Sequence, residues 1–302
     1  MKVGIIGAGS IAGTMAGTIR EMDCAQNYAV AARDYGRAAE FAQTYGFEKA
    51  YGSYEELVED AGVELVYIAT PHSHHYEHIK LCLNHGKHVL CEKSFTVNES
   101  QAREVLALAR EKKLLLTEAI WTRYMPMRKT LDSVLSSGVI GRPYMLTANL
   151  GYIISGKERI MRPELAGGAL LDVGIYPLNF ASMVFGDEVD SITGTAVMTE
   201  TGVDAQNSIT ITYKDGKMAA LCSSAMGLSD RRGIIYGDNG FIEVENINNC
   251  EGIRVYDRSR NMIASYDTPK QISGYEYEVE ACLRAIKEGA LECPEMPHEE
   301  TL

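Results

Sequence analysis

From residue 1 to about residue 117, short apolar runs alternate with amphipathic helical stripes, and no other feature restricts the fold so tightly. The runs at 2–6, 28–32, 65–69, 88–91 and 114–117 are nearly continuous in apolar character, as strands covered on both faces must be. Between them, Ile11, Met15 and Ile19 fall on one helical stripe. So do Ala38, Phe41, Ala42 and Tyr45, and then Ile79, Cys82 and Leu83, the spacing that lays one face of a helix on a core. Ser53 and Glu56 have the spacing of a capping box ahead of residue 65, and Gly86 stands where a helix ends in a left-handed cap. Alternation of this kind closes through right-handed crossovers into a doubly wound parallel sheet.

Past residue 117 the pattern changes. A helix is expected over 126–136, a strand over 143–150, then a loop and another helix. Strands then follow one another at 192–198, 208–213, 217–223, 233–236, 240–244, 254–256 and 263–266. Asp215-Gly216 and the run from Gly237 to Gly240 supply tight turns between them, so the strands pair as hairpins. The expectation is a second α/β domain on a large, mostly antiparallel open sheet, with helices on one face and a broad apolar face left for a partner. A chain of 302 residues is long enough for both domains. The boundary is drawn between 119 and 120.

The net charge of -12 repels phosphate backbones, and no basic stripe offsets it, which argues against nucleic acid as a partner. Seven cysteines without Cys-x-x-Cys spacing read as reduced thiols, not as a disulfide framework or a zinc cluster. No leader precedes the first strand, and no uninterrupted apolar stretch reaches the roughly 20 residues that cross a bilayer. The expected setting is cytoplasmic, away from membranes.

Gly7-Ala8-Gly9-Ser10-Ile11-Ala12 lies between the first strand and the first helix. Glycines there permit a tight turn and close approach to a pyrophosphate, whose charge meets the helix N-terminus. Residues 1–119 therefore read as a dinucleotide-binding domain and 120–302 as a substrate-binding and oligomerisation domain. Ala32 at the end of the second strand is followed by Arg33, where NAD-specific sites place an acid. A guanidinium grips a 2'-phosphate, with Arg37 in reach, so NADP is preferred over NAD. The alternative stacks Arg33 on the adenine and leaves the selection to Asp34. Lys93 closes the 88–91 run, and a cation beside the cofactor's reactive ring points to hydride chemistry.

Several motifs together resemble the glucose-fructose oxidoreductase/inositol dehydrogenase (Gfo/Idh/MocA) family. They are the glycine fingerprint, Ala69-Thr70-Pro71-His72-Ser73-His74-His75, Gly86-Lys87-His88-Val89-Leu90-Cys91-Glu92-Lys93, Glu118-Ala119-Ile120-Trp121-Thr122-Arg123, and the run from Gly167 to Pro177. The chain most resembles the NADP-preferring branch with dimeric dihydrodiol dehydrogenase and D-xylose dehydrogenase. The resemblance implies oxidation or reduction of a sugar, cyclic polyol or trans-dihydrodiol. It places Gly7, Gly9, Ser10, Ile11, Ala12, Arg33, Thr70, Pro71, His74, Glu92, Lys93, Trp121 and Arg123 along the cofactor, and no metal. Two departures stand out. Ser94 follows Lys93 where the family usually has proline, which frees the backbone that aims the lysine. The chain also stops at Thr301-Leu302, where family members typically add one more helix.

The same resemblance gives Lys93, Asp172 and Tyr176 the proton transfer that accompanies hydride transfer. Asp172 and Tyr176 are four apart and share one face of a helical turn, although Pro177 disturbs it. A phenol titrates near ~10, and a neighbouring ammonium lowers that value enough for exchange with a substrate hydroxyl; Lys93 as the base itself is the other version. His72, His74, His75 and His78 lack the carboxylate or thiolate that would complete a metal site. Trp121 and Arg123 either line a sugar pocket or serve packing and an ion pair, and Tyr152, Arg159 and Arg162 are further candidates for substrate hydroxyls. Two other functions fit the pattern: a non-catalytic NADP redox sensor, and a sugar–sugar oxidoreductase that keeps its cofactor bound. A homodimer or homotetramer through the open sheet face is expected.

Overall fold

The computed structural model describes Met1–Leu302. They pack as two compact units, Met1–Tyr124 with Gln271–Leu302, and Met125–Lys270. In the first, β1 (Lys2–Ile6), α1 (Ser10–Arg20), β2 (Gln26–Ala31), α2 (Tyr35–Tyr45), β3 (Lys49–Tyr51), α3 (Tyr54–Glu59) and β4 (Leu65–Ile68) are followed by α4 (His75–Asn84), β5 (His88–Glu92), α5 (Glu99–Lys112) and β6 (Leu116–Ala119). The six strands are all parallel, in the order β3-β2-β1-β4-β5-β6. Ile5, Ile6, Leu65, Val66, Ile68, Val89 and Leu90 are buried between two helical layers, which is why these strands read as unbroken apolar runs. β3 escaped the sequence reading because Lys49-Ala50-Tyr51 is a short, half-buried edge strand with no apolar run. The Ser53–Glu56 capping box forms as expected, with both reciprocal bonds made. Strand order reverses between β1 and β4, so the chain exits there diverge and open a crevice at the C-terminal ends of the strands.

The second unit starts with α6 (Pro126–Ser136) and β7 (Pro143–Gly151), and continues with α7 (Ile175–Phe185), β8 (Val189–Met198), β9 (Asp204–Tyr213) and β10 (Met218–Ser224). It ends with β11 (Gly233–Gly237), β12 (Gly240–Glu245), β13 (Gly252–Asp257) and β14 (Met262–Asp267). The sheet has eight strands in the order β14-β13-β12-β11-β7-β10-β9-β8. Only β7 and β10 run parallel. One face buries Leu146, Ala148, Leu150, Ala219, Leu221 and Ile235, and α7 packs on β7 and β10 there. The other face is mixed: Met218, Met145, Tyr236, Phe241 and Tyr256 stand in register as one apolar row across β10, β7, β11, β12 and β13, while the β8–β9 end is polar. Ser191, Thr193 and Thr195 pair with Thr212, Thr210 and Ser208, and exposed apolar side chains concentrate on the edge strands, at Ile192, Val197 and Met198 of β8 and Met262, Ile263 and Tyr266 of β14. A depression of about 330 Å³ beside β8, β9 and β10 is lined by hydroxyls and amides such as Thr195, Gln206, Ser208 and Ser224. Cys222 is its only titratable group.

The helical stretch Pro163–Phe185 is long and apolar enough to span a bilayer by length and composition, which the sequence reading did not foresee. Of its most apolar part 67% is buried, and it packs on the sheet as a core helix. The final segment carries α8 (Glu276–Glu288) and α9 (His298–Thr301) and packs with the first unit, whereas the sequence boundary left it in the second domain. The reason lies at β6, an edge strand with unpaired backbone groups. Leu116 N–H donates to the Leu291 carbonyl at 3.1 Å, and the buried His298 ring lies 2.9 Å from the Leu116 carbonyl.

Candidate active site

In the first unit the glycine turn has the form an anion needs. Gly7 sits at φ 104, and a Cβ there would meet the Ala69 carbonyl oxygen at 2.9 Å, so β1 and β4 approach closely only because the side chain is absent. Gly9 caps α1 without any side-chain hydrogen bond, and nothing lies within 4 Å of where its Cβ would be. Ser10, Ile11 and Ala12 follow as the first helical residues. Their backbone leaves donors and the positive end of the helix dipole facing open space, which fits a pyrophosphate.

At the exit of β2 the two selecting side chains separate. Asp34 is the N-cap of α2, accepting from the Arg37 N–H at 2.8 Å. Arg33 and Arg37 are exposed, and Arg37 donates to the Ala8 carbonyl across the glycine turn at 3.0 Å. Both guanidiniums act on Tyr54, whose phenol burial pushes up and the two cations pull down. The end of β2 is therefore cationic, with its carboxylate committed to the helix.

The exits of β4, β5 and β6 carry the remaining cofactor candidates. After Thr70 and Pro71, His72–His74 form a 3-10 turn. Thr70 Oγ1 is 2.9 Å from His78 Nδ1, and the His74 and His78 rings stack at 5.9 Å. Burial, then the neighbouring histidines and Arg33, push the His78 pKa down to about 4, so that ring is neutral at pH 7. Glu92 is buried and accepts from the Tyr67 hydroxyl and from the Lys93 N–H at 3.2 Å. Lys93 is half-buried at the strand exit, and the Lys93–Ser94 peptide bond is cis. Trp121 and Arg123 are both buried. Trp121 stacks on Tyr275 at 4.2 Å, and Arg123 pairs with Glu300 at 2.6 Å, so the returning C-terminal segment engages both. No group of His, Cys, Asp or Glu is arranged to hold a metal ion.

In the second unit, Asp172 and Tyr176 belong to one helical segment that opens into a wide π-turn at Leu170–Gly174 before α7 begins. Pro177 has no N–H to donate and its ring crowds the carbonyl four residues back, which accounts for the opening. Close approach of the preceding loop depends on Gly168, at φ 106, whose N–H donates to the Ile160 carbonyl at 2.8 Å. Asp172 is buried and accepts from Arg159 at 2.7 Å. Arg162 pairs with Glu158 at 2.5 Å and Glu164 at 3.1 Å, while Tyr152 accepts from Asn248 at 3.1 Å. Of the three loop candidates, Arg159 is the one that reaches Asp172.

Several buried groups were not singled out from the sequence. Glu118, on β6, accepts from the Phe95 N–H at 3.2 Å, and burial pushes its pKa up to about 7. Glu278 is fully buried with neither carboxylate oxygen hydrogen-bonded. Burial first, then the Glu92 charge, pushes its pKa well above the ordinary carboxyl value. The signals were a charged residue inside an apolar strand for Glu118, and one on the buried stripe with Ala281, Cys282 and Ala285 for Glu278.

Residues 1–120 match the oxidoreductase family model described as an NAD-binding Rossmann fold, and residues 129–243 match the Gfo/Idh/MocA C-terminal domain. The human trans-1,2-dihydrobenzene-1,2-diol dehydrogenase is 36% identical over 100% of this chain and 92% of its own length. The pig enzyme of that name is 42% identical over 76% of this chain and 70% of its own. Among solved structures, a 3-ketoreductase from Actinomadura kijaniata in complex with NADP and TDP-benzene aligns with TM-score 0.91 at 24% identity, covering 100% of this chain and 93% of that one. An aldose-aldose oxidoreductase from Caulobacter crescentus aligns with TM-score 0.90 at 18% identity over the same shares. With both domains matched in order and relatives alike over nearly its whole length, the chain belongs to the Gfo/Idh/MocA family of oxidoreductases.

Proposed function

We propose that the chain is an NADP-linked dehydrogenase that oxidises a secondary alcohol of a trans-dihydrodiol or cyclic sugar, or reduces the corresponding ketone. The observation that carries the cofactor choice is the exit of β2, where Asp34 caps α2 while Arg33 and Arg37 face outward. Two exposed guanidiniums at that exit favour a 2'-phosphate, while Asp34 spends one carboxylate oxygen on the Arg37 N–H. NADP, when bound, would supply the hydride acceptor for alcohol oxidation and, in its reduced form, the hydride donor for ketone reduction. The chain's own residues handle the proton. Tyr176 exchanges it with the substrate oxygen, because Asp172 is held by Arg159 at 2.7 Å and is thereby a weak base. Lys93 is assigned to the same transfer, as a cation that favours proton exchange with a substrate oxygen. The substrate class rests on relatives named for diol oxidation that align with nearly all of this chain.

The assay is a panel of trans-dihydrodiols, aldoses and inositols with NADP and NAD, followed at the reduced-nicotinamide band. The reading expects turnover with NADP on a vicinal diol or sugar. No turnover on any member with either cofactor overturns it and favours the sensor. A reduced-nicotinamide band in protein purified without added cofactor favours the sugar–sugar oxidoreductase. The apolar row from Met218 to Tyr256 on the outer sheet face supports a homodimer or homotetramer through that face, which sedimentation at micromolar concentration tests. All seven cysteines are free thiols, in keeping with a reducing, cytoplasmic compartment.

A further inference from the structure

His75 opens α4 and is fully buried. Its Nε2 lies 2.8 Å from the carbonyl oxygen of Thr70, and its Nδ1 lies 2.8 Å from the carbonyl oxygen of Ser94. Thr70 is in the loop that leaves β4; Ser94 is the residue after Lys93 on the chain that leaves β5. The ladder between those strands ends with the pair Ile68 and Cys91. Beyond that pair the sheet ladder stops, and the imidazole bridges the two exits. The far side of the same loop is held differently, by the Phe95 N–H donating to Glu118 of β6 at 3.2 Å. The short segment carrying Lys93 is thus strung between a histidine on one side and a carboxyl on the other.

We propose that His75 is a positioning residue. It ties the peptide that follows Lys93 to the cofactor loop at Thr70, and so sets where the lysine ammonium is presented. This rests on the role given to Lys93 under Proposed function. A direct part in proton transfer is excluded by burial and by the engagement of both ring nitrogens. A metal is excluded by the same engagement, since both lone-pair directions point at carbonyl oxygens. Burial pushes the ring's pKa down to about 4, so at pH 7 it has one N–H for two acceptors. Exchange of the proton between the two nitrogens lets the ring donate to Thr70 and to Ser94 in turn, and an apolar ring donates to neither.

Two variants test the clamp. His75→Phe keeps the ring's bulk without a donor, and His75→Gln restores an amide N–H. Misplacing a reacting group by an ångström costs about 100-fold in rate, so His75→Phe is expected to lower kcat by about 10- to 100-fold. The KM for NADP should move no more than about threefold, because the glycine turn is untouched. His75→Gln should recover a large part of kcat. Melting temperatures establish that each variant is folded. Hydrogen exchange supplies a readout independent of activity: peptides covering 70–75 and 93–96 should lose protection together in His75→Phe and regain it in His75→Gln. A folded His75→Phe with kcat within about twofold of wild type overturns the proposal; so does loss of protection confined to the 70–75 peptide. If His75→Phe does not fold, His75→Gln is decisive through the same exchange experiment: 93–96 exchanging freely despite the amide sinks the clamp. Should wild type turn over no substrate, the functional reading falls, and the exchange data alone decide whether His75 joins the two loops.

Discussion

The two units build their share of the chemistry in opposite ways. In the first, the expected pyrophosphate cradle is made of backbone, a glycine turn and an uncapped helix end between β1 and α1, with side chains added at the exits of β2, β4 and β5. In the second, one segment from Glu158 to Tyr176 carries every residue singled out except Tyr152, and the eight-stranded sheet beneath it is scaffold. The difference teaches where each kind of specificity is stored. A cofactor common to many enzymes is held by features that only a few residue types permit. A substrate is chosen by side chains that the fold leaves free to vary.

The largest effects should come from the groups assigned to proton transfer. Lys93→Met and Tyr176→Phe are each expected to reduce kcat by about 10²- to 10⁴-fold, with NADP affinity measured by fluorescence titration nearly unchanged. A large loss of affinity in Lys93→Met alone would move that lysine from chemistry to binding.

Next is Glu118, which belongs to the backbone-built unit but adds a charge to it. Its folded pKa is raised to about 7 from 4.5, burial being the main cause, with Thr301, the Phe95 N–H and Arg123 opposing and Glu92 reinforcing it. A raised carboxyl pKa contributes stability that is complete below the unfolded value and is lost as pH rises through the folded one. The contribution at stake is at most about 3 kcal/mol. Glu118→Gln keeps an acceptor for Phe95 and cannot ionise. Urea denaturation should show wild type losing stability relative to the variant between about pH 5 and pH 8.5. Parallel pH curves would mean that Glu118 is already charged and paired.

In the side-chain-built unit, Arg159→Met removes the partner of buried Asp172. Because Arg159 is itself 38% exposed, the cost in stability is expected at about 1–2 kcal/mol, below that of a fully buried pair, with kcat falling more than KM rises. A rise in KM alone would make Arg159 a substrate contact. Smallest is the effect at Arg33. Arg33→Ala should raise KM for NADP about tenfold, worth roughly 1.4 kcal/mol, and leave KM for NAD almost unmoved. Equal changes for both would return the selection to Asp34.

The same contrast explains what was legible before the structure. Buried parallel strands announce themselves, and the helix at Pro126–Ser136 and the turn at Asp215-Gly216 lie where spacing placed them. β3 and the start of β9 did not show. Lys49-Ala50-Tyr51 is an edge strand, and Asp204-Ala205-Gln206-Asn207 lacks the apolar run that marks a strand. The return of Gln271–Leu302 to the first unit depends on an edge at β6 that no local pattern reveals. Lys93, Asp172 and Tyr176 emerged only through resemblance, because Asp-x-x-x-Tyr has no meaning by itself. His75 was visible as a residue and invisible as a cross-link, since its partners are carbonyl oxygens 5 and 19 positions away.

A double-mutant cycle over Lys93 and Tyr176 tests most directly the proposal that both residues serve the same proton transfer. If both act on the same substrate proton, the doubly substituted enzyme should be no slower than the worse single variant, within about threefold. Losses that multiply in full would show two independent contributions and contradict the account.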